Sequence, residues 1–420
     1  MALIARFLSP VEQGFYYTFV SLVAIQIVFE LGFSYVILQM ASHERAHLSI
    51  SADYVVTGDP IALSRLASVI QKSVRWYSIA AVALFMAILP AGLIFFSTSK
   101  SAAGSQVAWR LPWMVAALAV TFTFQIDPVL SFLEGCGYVS DIARLRFFQS
   151  MAGSFLAWCA LILGYGLFSP AMMMLGMAFT ASAWLFRRKR LLRQLLRHDP
   201  GEHRIHWMKE VWAFQWRIAV SWLCGYFLFQ LFSPIAFRYW GPVTAGRLGM
   251  SLSIANAMQS MAISWISTKS APFGMLIARK QYKQLDQLFF RALAQGFGIN
   301  LLTSVILWLA CVYCNVYHLS YANRILPPLP FLLLLGTNLI NIPIFGGALY
   351  LRAHKQEKFL PLSVAGAVLI TISTLVLGRR FGPTGMMAGY LAVTFFLQFG
   401  AFHLFTKYRN LWHREQPEAV

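Results

Sequence analysis

The feature that most limits what this chain can become is its succession of long apolar runs. A helix needs about 20 mostly apolar residues to cross the hydrocarbon core of a bilayer. By that measure the sequence offers eleven complete candidates. They fall near 14–40, 76–97, 112–133, 147–164 and 169–186 in the first half. In the second half they fall near 211–237, 247–268, 292–316, 327–350, 359–377 and 384–406. The runs show no barrel-type alternation and are much longer than barrel strands. Only 12% of residues are charged, about half the share of a soluble domain. The 15% of aromatic residues excludes disorder, and five cysteines in 420 residues cannot staple a chain of this size. The expectation is an all-α polytopic membrane protein.

The charge is lopsided, with 34 Lys plus Arg against 15 Asp plus Glu and a net +19. In a soluble protein this would point to nucleic acid; here the positive-inside rule is the first test. If the loop at 41–75 is cytoplasmic and the sides alternate, 25 basic residues lie on the cytoplasmic side and 8 on the other, with Arg217 inside a span. That split places the C-terminus in the cytoplasm and makes a nucleic-acid partner unnecessary.

Two short elements recur. Arg6-Phe7-Leu8-Ser9-Pro10-Val11-Glu12-Gln13-Gly14 matches Arg238-Tyr239-Trp240-Gly241-Pro242-Val243-Thr244-Ala245-Gly246. Phe168-Ser169-Pro170-Ala171-Met172-Met173-Met174-Leu175-Gly176 matches Phe381-Gly382-Pro383-Thr384-Gly385-Met386-Met387-Ala388-Gly389. Both pairs keep their order and both fall at outer-side turns, although Pro and Gly also mark ordinary turns. A full span precedes the second copy of the first element, whereas only Met1–Ala5 precedes the first copy. This implies a truncated first helix and a plan of six plus six. The organisation expected is an N-terminal bundle over 1–186, a basic cytoplasmic linker over 187–210, a C-terminal bundle over 211–406 and a cytoplasmic tail over 407–420. Parallel repeats of this kind are one of the two standard transporter constructions.

The opening pattern of a basic residue, apolar or aromatic positions, Gly or Ser, Pro and then Gly resembles the polysaccharide flippases. These are the O-antigen (Wzx-type) transporters of the multidrug/oligosaccharidyl-lipid/polysaccharide (MOP) superfamily. Leu133-Glu134-Gly135-Cys136-Gly137 ahead of Ile142-Ala143-Arg144 resembles the same family. The resemblance runs over the whole chain on short motifs rich in Gly, Pro and Leu. It implies two six-helix bundles in a pseudo-twofold, MATE-like arrangement around a central cavity. It also implies flipping of an undecaprenyl-pyrophosphate-linked oligosaccharide across the bacterial inner membrane by alternating access, for O-antigen or exopolysaccharide synthesis. Other polysaccharide-assembly membrane proteins would be partners, and coupling would be to an ion gradient. The absent first helix is the departure from the family.

A charge near the bilayer centre costs roughly 2.5–3.5 kcal/mol on insertion scales, so each one needs a reason. Arg217 either snorkels to the headgroups or faces a cavity and pairs with a pyrophosphate, for which a planar guanidinium is suited. Glu30, one turn after Gln26, is a candidate ion-coupling group or the partner of a basic residue on a neighbouring helix. Asp127-Pro128 is a second ion-coupling candidate or a hinge, because proline removes a helix hydrogen bond. Arg247 and Lys269 close their spans and are substrate candidates or interface markers. Asn256 and Gln259, and Asn338 and Asn341, lie at i, i+3 spacing. They suit sugar hydroxyls, or they join helices in lipid. The segments 59–75 and 279–291 are expected to form elbow helices lying on the inner leaflet.

Cys311-Val312-Tyr313-Cys314 has no second pair and reads as two small residues one helical turn apart. No metal or cofactor motif is present, no P-loop occurs, and no polar segment is long enough for a soluble catalytic domain. A transporter is therefore expected rather than an enzyme. The alternatives are a cation-coupled drug or metabolite antiporter of the MATE type and, further off, a membrane-embedded polymerase or acyltransferase. The outer loops are short for such an enzyme.

Overall fold

The computed structural model describes residues 1–51, 55–99, 107–201, 203–206, 212–354 and 358–414, without the side chains of residues 213, 214, 217, 218, 221, 271, 278, 320 and 414. The chain forms two compact units, Met1–Tyr226 and Phe227–Val420.

The first unit contains α1 (Ala2–Phe7), α2 (Pro10–Val23), α3 (Gln26–Glu30), α4 (Phe33–Arg45), α5 (Pro60–Ser97), α6 (Arg110–Gly135), α7 (Val139–Ile162), α8 (Ser169–Arg187) and α9 (Lys189–Arg197). A two-stranded antiparallel hairpin, β1 (Leu48–Ile50) and β2 (Val56–Gly58), lies between α4 and α5. Helix α10 (Trp212–Phe229) runs across the division between the units. The second unit continues with α11 (Phe232–Ser267), α12 (Ser270–Ala278), α13 (Tyr282–Val316), α14 (Pro328–Ala353) and α15 (Leu360–Arg414). Among the described residues, eight helical stretches are long and apolar enough to cross a bilayer. The last of them bends at Gly382 (φ 63°, ψ −149°) into two arms.

The recurring elements start helices in both units. Ser9 caps α2 by accepting from the Glu12 amide while Glu12 returns a bond to the Ser9 amide, a reciprocal cap with Pro10 at the first turn. In the second unit Gly241 (φ 84°) bends α11 just before Pro242, a conformation that glycine reaches without a Cβ penalty. In each unit the first element also reaches the chain just ahead of the second. Leu8 fills the space beside Gly166, where a Cβ would lie 2.3 Å from its Cδ2. Trp240, aligned with Leu8, donates Nε1–H to the Gly378 carbonyl at 2.7 Å and lies against Gly382. The repetition is therefore one of contacts as well as of turn residues.

Each unit has its own core. In the first, Phe15, Phe19, Phe96 and Trp113 are fully buried. The Trp113 ring lies 5.2 Å from Phe19 and 5.7 Å from Phe96, and its Nε1 donates to the Leu89 carbonyl. Helices α7 and α8 meet on small residues, where a Cβ on Gly176 would lie 2.9 Å from the Gly153 Cα. Such small-residue crossings let backbones approach closely in lipid. In the second unit Phe273, Leu285, Phe289 and Tyr350 centre a cluster that joins α12, α13, α14 and the end of α15.

Several expectations need correction. The run 14–40 is not one helix: Leu31 (φ 50°) and Gly32 (φ 66°) are both left-handed and separate α3 from α4. The run 211–237 is likewise interrupted, between Phe229 and Phe232. The segments 59–75 and 279–291 are not separate elbows. Residues 60–75 are the first turns of α5, and 282–291 the first turns of α13, because no proline or glycine there stops the hydrogen-bond ladder. Their apolar faces are covered by protein, with Leu66, Val69, Ile70 and Leu285 fully buried. Where the stretch 187–210 is described, part of it packs on the first unit. Leu191 and Leu195 of α9 are buried, Gln71 holds the carbonyls of Leu195 and His198, and Gln194 exchanges two bonds with the Val56 backbone. Helix α6 continues through Pro128 from Arg110 to Gly135 without a break.

Candidate functional site

The polar groups of the first unit converge where α3 ends. Because Leu31-Gly32 breaks the helix, Glu30 lies at a helix C-terminus and Ser34 in the first turn of α4. The Glu30 carboxylate and Ser34 are hydrogen-bonded through their side chains. Ser34 Oγ is 3.1 Å from the hydroxyl of Tyr77, which is fully buried on α5. Phe124 packs on the Tyr77 ring at 4.8 Å, and one turn later on α6 Asp127 presents an exposed carboxylate. Tyr77 thus links the two acids: its hydroxyl meets Ser34, the partner of Glu30, and its ring meets Phe124, one turn before Asp127. Gln125 Nε2 bonds Ser78 Oγ at 2.7 Å and fixes α6 against α5 beside them. The buried Gln26 Oε1 has no hydrogen-bond partner among the described residues. Two acids from runs nearly a hundred residues apart thus share one polar cluster. Unwound backbone flanked by carboxylates within a spanning segment is a recurring way to hold a cation or a proton.

Sequence reasoning missed Ser34, Tyr77 and Ser78. The available signal was Glu30-Leu31-Gly32-Phe33-Ser34, a glycine between two polar residues inside an apolar run.

In the second unit a cavity of about 130 Å³ opens among α14, α15 and the end of α10. Its walls are mostly apolar and include Phe229, Phe345 and Leu397. At one end Asn341 Nδ2 donates to the Tyr390 hydroxyl at 3.3 Å, with Thr394 beside them. At the other, Arg352 and Lys358 enter the lining. Lys358 Nζ also lies 4.8 Å from the centre of the Tyr408 ring. The cavity can take a narrow apolar group that carries an anion at one end. It is too small for an oligosaccharide.

The remaining candidates are scattered. Asn338 and Gln259 are buried, each with an amide nitrogen lacking a hydrogen-bond partner among the described residues. Gln259 precedes Ala262 by one turn, and Asn338 precedes Ile342 by one turn. Ala262 and Ile342 pack together where α11 meets α14. Asn256 is exposed. Arg247 is occupied, since its Nε donates to the Asn323 carbonyl at 3.0 Å and its Nη2 to Asn323 Oδ1 at 3.2 Å. It ties α11 to the short 3-10 helix Ser320–Arg324. Lys269 is the second of the two residues between α11 and α12. The Arg217 side chain lies outside the described residues. All five cysteines are free, and among the described residues no group of three or more His, Cys, Asp or Glu is placed to hold a metal.

A second set of polar groups lies where α13 begins and α14 and α15 end. Asp286 accepts from the Tyr350 hydroxyl at 2.9 Å and from Arg409 at 2.6 Å, while His413 Nε2 is 3.4 Å away. His354 stacks on Trp412 with ring centroids 3.7 Å apart and meets the Tyr350 carbonyl through Nδ1. Burial, the largest influence on it, holds the His354 imidazole below its ordinary pKa. This cluster fastens three helix ends together.

No family model matches the chain, and no curated protein sequence matches it significantly. Solved structures do share its fold. It is similar to a multidrug resistance MATE family transporter of the MOP superfamily in its inward-facing conformation. The TM-score is 0.67 at 13% identity, over 99% of this chain and 94% of that one. It is also similar to the outward-facing conformation of a multidrug resistance MATE family transporter, with a TM-score of 0.53 at 14% identity over 99% and 96% of the two chains. A third is a MOP superfamily transporter from Pyrococcus furiosus, described as having a binding pocket of reverse polarity that suggests a different function. There the TM-score is 0.53 at 14% identity over 98% and 96%. The fold is that of the MOP superfamily transporters.

Proposed function

We propose that the chain is a transporter that flips an undecaprenyl-pyrophosphate-linked oligosaccharide across the bacterial inner membrane by alternating access, with its C-terminus in the cytoplasm. The observation that carries this reading is the cavity of the second unit, taken as the seat of the pyrophosphate and not of the glycan. Apolar walls with Arg352 and Lys358 at one end and the Asn341–Tyr390 pair at the other suit an amphipathic anion better than a compact cationic drug. A guanidinium and an ammonium hold phosphate oxygens by charge-assisted hydrogen bonds. The surrounding hydrocarbon surface takes the lipid portion. Glu30 and Asp127 supply the ion-coupling site, and Arg217, Lys269, Arg247 and the amides Asn256, Gln259, Asn338 and Asn341 are substrate contacts under the same proposal.

A second reading has its own observation. The Glu30–Tyr77–Asp127 cluster is acidic, and intramembrane acids suit a cation-coupled antiporter of drugs or metabolites. Complementation separates the two. The chain is expressed in cells that lack their own flippase and carry a matched glycan pathway. Surface polysaccharide returns under the flippase reading. If it never returns and the cells instead gain resistance to cationic compounds, the antiporter reading replaces it. Arg217→Gln complementing as well as wild type removes the phosphate role of that residue only.

A further inference from the structure

The basic stretch after α8 divides into spent and unspent charges. Arg188 is spent: it is 7% exposed, pairs with Asp141 at 2.8 Å, and its guanidinium lies 3.5 Å from the centre of the Trp184 ring. The next helix, α9, is pinned through Leu191, Gln194 and Leu195 to the rest of the first unit, which leaves its opposite side free. Along that side run Lys189, Arg193 and Arg197 at i, i+4 and i+8, one row on a helix surface. All three are exposed, and none has an ion pair or hydrogen bond to a protein group among the described residues. Lys189 Nζ does sit 4.4 Å over the ring of Phe186.

This row borders a shallow groove whose other wall is the end of α8, with Leu185 and Phe186, and whose floor includes Leu192 and Leu196. The groove opens onto the exposed apolar face of α8, where Phe179 is 61% and Phe186 67% exposed. That face belongs to a helix long and apolar enough to span a bilayer. Three cations with no anionic partner among the described residues therefore stand at the end of a hydrocarbon-facing strip, on a helix packed from behind.

We propose that this groove is a binding site for an anionic phospholipid. The lipid phosphate lies against Lys189, Arg193 and Arg197, and an acyl chain follows Leu185, Phe186 and Phe179 along α8. Anionic headgroups are attracted to basic segments at the cytoplasmic end of spanning helices, and long basic side chains reach the headgroup level from an apolar surface. Occupancy gives α9 a second, lipidic support opposite its contacts with α5 and β2. The site does not depend on which substrate the transporter carries.

The test is native mass spectrometry of the full chain in detergent, titrated separately with phosphatidylglycerol, phosphatidylcholine and inorganic phosphate. Wild type retains at least one phosphatidylglycerol under conditions that strip phosphatidylcholine. Each cation neutralised, Lys189→Gln, Arg193→Gln or Arg197→Gln, weakens retention about fivefold, and the triple variant loses it. Arg193→Lys retains the lipid, and so does the control Arg379→Gln/Arg380→Gln, a basic pair of the second unit. Equal phosphatidylglycerol retention by the triple variant and wild type overturns the proposal. Equal retention of phosphatidylcholine by wild type overturns it too. Displacement of the lipid by millimolar inorganic phosphate identifies a free-anion site and overturns the lipid assignment. Should the triple variant misfold, the three single variants carry the same comparison.

Discussion

Asp286 offers the sharpest quantitative check on how the second unit is held together. Its carboxylate is 11% exposed and receives Tyr350 at 2.9 Å and Arg409 at 2.6 Å. Asp286→Ala removes the acceptor of both, leaving a buried hydroxyl and a guanidinium without its charge partner. Breaking a buried ion pair typically costs about 3–5 kcal/mol. Arg409 is 31% exposed, so water recovers part of that loss and about 2–4 kcal/mol is expected. For a unit of this size each kcal/mol lowers the melting temperature by about 2–4 °C. A drop of roughly 5–15 °C should therefore appear when monodisperse protein is followed against temperature in detergent. Tyr350→Phe alone loses one hydrogen bond to a charged group, about 1.5 kcal/mol, and should cost almost nothing once Asp286 is already Ala. Arg204→Gln, which breaks the exposed Arg204–Asp199 pair, is the control and should move the melting temperature little. An Asp286→Ala shift no larger than the control, or full additivity of the two variants, would refute the assignment of this cluster as the fastening of three helix ends.

Three further outcomes follow from other contacts. Gly135→Ala should destabilise the first unit by about 1–3 kcal/mol in the same melting assay, because the added Cβ would sit 2.4 Å from the Leu38 carbonyl oxygen, which cannot move aside as a side chain can. Trp240→Phe should cost about 1 kcal/mol by removing the bond to the Gly378 carbonyl; an unchanged melting temperature would show that this contact ahead of the second repeated element is incidental. Burial lowers the folded-state pKa of His354, so the unfolded chain binds the proton first as pH falls. The stability it contributes is complete above about pH 6.5 and declines as pH falls from there toward the lowered folded value. His354→Phe should melt with a flatter pH dependence than wild type between about pH 7.5 and 5.5, with Asp286 and His413, which face His354, left in place.

The sequence made the membrane character plain because apolar length is a one-dimensional property, and the repeated Pro elements were visible because prolines start helices in both units. Breaks inside apolar runs were harder to see. Leu31-Gly32 adopts left-handed backbone beside Glu30, yet hydropathy alone reads straight through it. The opposite error occurred at 59–75 and 279–291, where charged residues suggested separate surface helices although nothing interrupts the ladder into α5 and α13. Glu30 and Asp127 stood out singly, since charge is rare here. Their meeting around Tyr77 depends on three helices and has no signature in spacing. Arg247 shows another limit: it is a candidate by position, but its hydrogen bonds to Asn323, 76 residues further on, have no signature in spacing either.

The central claim is that the chain moves a lipid-linked pyrophosphate oligosaccharide, and reconstitution tests it most directly. Purified protein is placed in proteoliposomes bearing a fluorescent polyprenyl-pyrophosphate glycan, and the fraction of glycan reachable by an external quencher is followed in time. Reachability should rise toward completion in wild-type vesicles and should slow in vesicles carrying Arg352→Gln/Lys358→Gln protein that remains folded. A reachable fraction that stays at the level of protein-free vesicles, with an imposed proton or sodium gradient of either direction, would contradict the account.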